Sequence, residues 1–147
     1  MYDAFWNQNK MTDYPIHTLM VPVAVGELID KITILRLKSN HLQSAEAVAN
    51  VHRELQALEA VHAAQGAALQ DPEIQHLTEE LQTINHRLWD VEDSLRILES
   101  KQCFDHEFIL LARSVYQLND QRAAIKRRIN ETCGSDFIEE KSYGAIK

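Results

Sequence analysis

Arg122 stands where an aliphatic side chain belongs. Phe108, Leu111, Val115, Leu118, Arg122, Ile125 and Ile129 step by 3, 4, 3, 4, 3 and 4 residues, the rhythm of an apolar helical seam. A guanidinium on that seam has two fates. In the first it meets a carboxylate, carbonyls or an aromatic face, where it sets register or binds an anion. In the second the seam ends there, the arginine stem covers an apolar neighbour such as Leu81, and the head stays in water. Asn119, Lys126 and Asn130 extend a polar stripe beside it, and Lys126-Arg127-Arg128 makes the local surface basic. Such a stripe suits a phosphate or carboxylate ligand; the same cations also complement the negative end of a helix dipole.

Other chemistry is thinner. Glu79, His86, Asp90 and Asp93 fall on one flank of a helical stretch, with His86 and Asp90 four apart. That spacing chelates metals only when a second matched pair joins it, as in HExxH, and none does here. A solvated ionic flank is the simpler reading, so no metal and no cofactor are expected. Ser114 and Ser142 lack the glycines of a nucleophile elbow, neither cysteine sits in CxxC, and four glycines leave no phosphate-cradling loop. Trp89 reads as a packing residue before a stacking platform.

Composition narrows the partners. The chain has 147 residues and a net charge of -7, which disfavours nucleic acid and anionic membranes as partners. Met1–Lys10 lacks the apolar run of a secretory signal, and Ile16–Val25 is far short of the ~20 apolar residues that span a bilayer. Cys103 and Cys133 bracket one predicted helix, which sets them ~45 Å apart at the helical rise, too far for an intrachain disulfide. Reduced thiols and a cytoplasmic location are the expectation.

The elements that must position Arg122 follow from periodicity. Ile74, Leu77, Leu81, Ile84, Leu88, Val91, Leu95 and Leu98 form an unbroken seam on a helix predicted over Pro72–Lys101, opened by Asp71-Pro72-Glu73. Asp105 and Gly134 bound the next helix, His106–Thr132. The short Lys101–Asp105 connection makes the two an antiparallel, coiled-coil-like hairpin. Positions summing to about 207 then lie level. Arg122 falls beside Asn85, with Leu81, His86 and Trp89 within about a turn, and Arg113 falls beside Asp93 as a structural ion pair. Upstream, Gly26 marks the start of a helix in which Val25, Leu28, Ile32, Leu35 and Leu42 keep the rhythm, while Ile29, Ile34 and Leu37 widen the apolar surface beyond one seam, so this helix is expected to touch more than one neighbour. Ser44 caps a helix over Ala45–Gln65 with Val48, Val51, Leu55 and Leu58 on one face. Thr18–Val25 is β-branched enough for a short strand, which Pro22 confines to an edge or to an extended segment over the helices. The expected architecture is all-α: an antiparallel bundle of about four helices with a short N-terminal extended segment. Residues 1–17 read as a flexible extension, with docking through Phe5 and Trp6 as the alternative, 18–134 as the helical domain, and 135–147 as a tail. So long and thin a core leaves surface for a second copy to cover, and a homodimer is expected.

Three stretches carry a family resemblance: VPVAVGELIDKITIL (Val21–Leu35), LWDVEDSLR (Leu88–Arg96), and ARSVYQLNDQRAAIKRRIN (Ala112–Asn130) followed by EEKSY (Glu139–Tyr143). They resemble a family of small bacterial helical proteins known only as a domain of unknown function, over roughly Leu19–Tyr143. Ala24 stands where similar chains often have Ser. The resemblance implies no activity, only a link to bacterial surface-polysaccharide or glycosyltransferase functions. Its motifs single out Glu27, Asp30, Lys31, Trp89, Arg113, Tyr116, Asn119, Arg122, Lys126, Asn130 and Glu139 among others, which suggests convergence on one cleft.

Together these readings favour a non-catalytic helical interaction or accessory protein acting as a homodimer. The candidate ligand or anion site comprises Arg122, Lys126, Asn119, Trp89, Asn85, Asp30, Lys31 and Arg113, with no catalytic residue assigned. The alternative is a small all-helical enzyme with an anion pocket, similar to helical chorismate mutases. There Arg36, Arg53, Arg122 and Lys126 would stabilise an anionic substrate without a nucleophile. A nucleic-acid-binding helical protein is the third class.

Overall fold

Four helices follow one another: α1 (Val25–His41), α2 (Ala45–Ala64), α3 (Pro72–Ser100) and α4 (His106–Cys133). The structure, a computed structural model, describes residues 19–141. Expectations for residues 1–18 and 142–147, Phe5, Trp6, Ser142 and Tyr143 among them, lie outside the described residues. Within them the fold is an all-helical bundle without strands.

The predicted punctuation holds at atomic detail. The Ser44 hydroxyl accepts from the Ala47 amide, and the Asp71 carboxylate accepts from the Glu73 amide at 2.7 Å. Asp105 accepts from both Glu107 and Phe108 amides, satisfying donors that a helix N-terminus leaves unpaired. Gly134 closes α4 at φ 63°, the left-handed conformation that a Cβ disfavours. Gly66 (φ 67°) does more than end α2. It opens a 3-10 turn, Gly66–Leu69, that tucks Leu69 into the core.

α3 and α4 form the antiparallel hairpin, and α1 lies along one flank of it. Ile29 of α1 and Leu69 join Ile74, Leu77, Leu81, Ile84 and Leu88 of α3 and Leu118, Ile125 and Ile129 of α4 in one core. That core occupies only the half of the hairpin nearest the α3 N-terminus. Beyond the end of α1, Val91, Leu95, Leu98, Phe108, Leu111 and Val115 are half-buried. α2 packs on α1, buries no residue of its own, and is tied down by Lys31–Glu54 (2.6 Å) and Arg36–Glu59 (2.7 Å).

One expectation needs correction. Leu19–Ala24 pairs with no strand, and Leu19, Met20, Val21 and Val23 face solvent instead of lying over the helices; Pro22 removes an amide that a ladder needs. On α1 the predicted breadth holds: Ile32 and Leu35 of the stripe and Ile29 and Leu37 beside it are buried, Val25, Leu28 and Ile34 are half-buried, and Gly26, Asp30 and Thr33 join the buried face. Contact with α2, α3 and α4 sets that breadth.

Candidate functional site

The broad buried face of α1 carries a carboxylate into the protein. Asp30 is 1% exposed, and a charge that deep requires partners. It has them. Arg122 reaches across from α4, its Nε donating to Oδ1 at 3.0 Å and to Oδ2 at 3.1 Å, while its Nη2 donates to Oδ2. Asn85 Nδ2 on α3 donates to Oδ1 at 2.8 Å and to the Thr33 hydroxyl oxygen at 2.9 Å. The Thr33 hydroxyl donates in turn to the Asp30 carbonyl at 2.8 Å. One carboxylate thus joins three helices.

One turn along α4, Lys126 extends the cluster. Its Nζ donates to Glu27 at 2.6 Å, lies 2.8 Å from Glu139 of the C-terminal segment, and is 4.0 Å from Asp30. Another turn on, Asn130 Oδ1 accepts from the Gly26 amide at 2.7 Å. This carbonyl takes the N-terminal α1 donor that Ala24, having no hydroxyl, does not cap. Gly26 is required here for space: a Cβ would sit 2.6 Å from the Lys126 carbonyl oxygen and 3.0 Å from Asn130 Oδ1. Among the described residues no buried side-chain polar atom lacks a partner.

The electrostatics are those of a closed network. Hydrogen bonding to Asp30 raises the Arg122 guanidinium above its ordinary pKa, against the opposing effect of burial. Burial disfavours charge on Lys126, but hydrogen bonds with Glu139 and Glu27 outweigh it and the ammonium pKa is raised. The Lys126 hydrogen bond lowers the pKa of Glu139. Two cations face three carboxylates, so an incoming anion meets no uncompensated positive charge.

Of the sequence candidates, the fold brings Arg122, Lys126, Asn85 and Asp30 together. Asn119 sits at the edge, its Oδ1 3.5 Å from Arg122 Nη1. Trp89 instead packs beside the last turn of α1, its ring 5.0 Å from that of His41, which is 5.5 Å from His86. Lys31 points away to Glu54, and Arg113 is exposed, with no ion pair to Asp93 among the described residues. The solvated reading of Arg122 gives way to a paired one, with the side chain 28% exposed. Thr33 and the role of Gly26 were missed. Gly26, Asp30, Thr33 and Leu37 step by 4, 3 and 4, and that second α1 stripe was the signal that could have found them. No group of three or more metal-ligating side chains occurs among the described residues.

The family model described as a family of unknown function (DUF6165) matches residues 19–146. The chain belongs to this family. The match spans everything from the exposed segment before α1 through the Glu139 segment, so the whole Asp30 network lies inside the family domain. Searches of curated proteins and of solved structures return no match. The biochemical function of the family is unknown.

Proposed function

We propose that this chain is a non-catalytic helical interaction protein that works as a homodimer, joined through the tip of the α3–α4 hairpin. The observation that carries the reading is the first turn of α4. Phe108-Ile109-Leu110-Leu111 places four apolar residues around the whole circumference of the helix, and a helix apolar all round is one that gets buried. Phe108 and Leu111 are half-buried; Ile109 and Leu110 are each 51% exposed. Ile97, Phe104 and Tyr116 add exposed apolar surface around the same end.

Charge favours a second copy there. From Arg96 to Arg113 three cations (Arg96, Lys101, Arg113) match three acids (Glu99, Asp105, Glu107), while the whole chain carries -7. Two copies repel least where charge is balanced. The non-catalytic part of the reading is supported by the cations that an anion-processing site would use. Arg36 is bonded to Glu59, Arg53 is near Asn50, Arg122 is bonded to Asp30, and Lys126 is shared by Glu27 and Glu139. No helix among the described residues is long and apolar enough to cross a membrane. Together with two cysteines not joined in a disulfide, that suits the proposed cytoplasmic setting. The link to surface-polysaccharide or glycosyltransferase functions rests on the resemblance alone.

Sedimentation equilibrium tests the reading. The full chain is expected at twice its 16.9 kDa mass at micromolar concentration, and Ile109→Asp, at an exposed position, is expected to yield monomer with unchanged helicity. A monomeric wild type at ~100 μM, or an Ile109→Asp dimer of undiminished affinity, would sink it.

A further inference from the structure

Away from the Asp30 network and the hairpin tip, two exposed histidines meet where α1 ends against α3. The rings of His41 and His86 have centroids 5.5 Å apart and planes crossed at 79°. Among the described residues no other two histidines are in ring contact. Half-buried Trp89 stands beside them, its ring 5.0 Å from that of His41.

The His41 ring has a fixed tautomer. Its Nδ1 is 2.8 Å from the Leu37 carbonyl oxygen. A carbonyl only accepts, so Nδ1 carries the proton and the Nε2 lone pair of the neutral ring is left for another partner. A metal-ligating histidine commonly has this backing, with its other ring N–H donated to a backbone carbonyl. The His86 ring makes no hydrogen bond to a described residue, so its nitrogens are uncommitted.

The separation suits one ion shared by both rings. With metal–nitrogen bonds of about 2.0–2.1 Å, two imidazoles on adjacent coordination positions have centroids roughly 4.5–5.5 Å apart. The observed 5.5 Å is at the upper end of that range. The charged side chains within four residues of His41, His86 or Trp89 on their own helices are Lys38, Arg87, Asp90, Glu92 and Asp93. Two cations are thus set against three acids, a balance that favours an added cation. Asp90 is one turn on from His86, but no three ligating side chains come together. The chain therefore offers two ligands and leaves the other positions to water.

We propose that His41 and His86 bind a divalent transition-metal ion of the Zn²⁺, Ni²⁺ or Cu²⁺ class, pinning the end of α1 to α3. Such ions take neutral imidazole, whereas Mg²⁺ and Ca²⁺ prefer oxygen ligands. One ligand comes from each helix, so the ion binds the folded bundle and stabilises it by mass action. No residue of the hairpin tip takes part, and the site stands whether or not two copies pair.

The test titrates Ni²⁺, which is paramagnetic and does not oxidise the two thiols, into the full chain. It is followed by NMR of the histidine rings and the tryptophan indoles. The His41 and His86 ring signals and the Trp89 indole are expected to broaden first, Zn²⁺ should compete, and Mg²⁺ should do nothing. Both histidines are exposed, so His41→Ala and His86→Ala should keep the helicity of the chain, and each should lower Ni²⁺ affinity at least tenfold. His76→Ala should leave that affinity unchanged. Ni²⁺ should raise the Tm of the parent chain and of His76→Ala, but not that of the other two variants at the same concentration. Broadening spread evenly over the described histidines, broadening centred on Cys103 or Cys133, an equal response to Mg²⁺, or full affinity in either His41→Ala or His86→Ala would each overturn the assignment.

Discussion

The Gly26 amide and the Asn130 side-chain carbonyl, 104 residues apart in sequence, meet at 2.7 Å. The bond fixes the start of α1 against the last turns of α4, at a place where only glycine fits. Glycine inside a helix is ordinarily a weakness, and replacing it by alanine at an open site stabilises by up to about 1 kcal/mol. At Gly26 the sign reverses, because the new methyl would lie 2.6 Å from the Lys126 carbonyl oxygen. Gly26→Ala is expected to cost about 1–3 kcal/mol, as overpacking does elsewhere, read from the urea midpoint at unchanged slope.

Asp30 should be the most sensitive charged position. Asp30→Ala removes the acceptor for Arg122 and for Asn85, and breaking a buried pair costs about 3–5 kcal/mol. The lower end applies, since Arg122 keeps 28% of its side chain in water. Lys31→Ala, one residue away, removes only an exposed pair with Glu54 and should cost less than about 1 kcal/mol. Urea unfolding of the two variants side by side would expose any error in this ranking.

The C-terminal segment should detach at both extremes of pH. The pKa of Glu139 is lowered in the folded state by Lys126. Its contribution is therefore present above its unfolded pKa, ordinarily about 4.3, and lost as pH falls through the lower folded value. The pKa of Lys126 is raised, burial opposing and the Glu139 and Glu27 hydrogen bonds prevailing. Its contribution is full below its unfolded pKa, ordinarily about 10.4, and lost as pH rises through the higher folded value. Limited proteolysis at residues 135–141 is expected to be slow across the middle of the range and faster in acid and in strong base. Glu139→Gln should make it fast throughout; equal cleavage rates in both chains would refute the attachment.

Hydrogen exchange should divide the bundle unevenly. α2 buries no residue and depends on one neighbouring helix, so its amides should open at a small fraction of the global unfolding free energy. The slowest amides are expected near Leu77, Leu81 and Ile129, which are fully buried. Protection of α2 equal to that of α3 would contradict this packing.

Much of this framework was readable from residues alone, because helix signals are local. The capping acids Asp71 and Asp105 and the stop at Gly134 each act within one turn, and the structure uses each of them. Hairpin arithmetic also put Arg122 level with Asn85, and both donate to the same Asp30 oxygen. What local rules do not hold is the azimuth of α1. Asp30 and Lys31 are adjacent in sequence, yet one is sealed in the core and the other pairs with α2. Which of two neighbours turns inward depends on how α1 sits across two helices at once. Arg113 remained a surface residue for the related reason that α1 ends before reaching its level.

The bonds that fix α1 to the hairpin have a kinetic consequence. α3 and α4 are neighbours in sequence and can zip together from the turn at Gln102, a low-contact-order event. α1 instead closes on positions 55 and 104 residues away, at Asn85 and Asn130, and such long closures carry the larger entropy cost. The hairpin should therefore be formed at the folding barrier and α1 should dock after it. Lesions at Gly26 or Asp30 would then speed unfolding and barely slow refolding, whereas Leu81→Ala, inside the hairpin seam, would slow refolding itself.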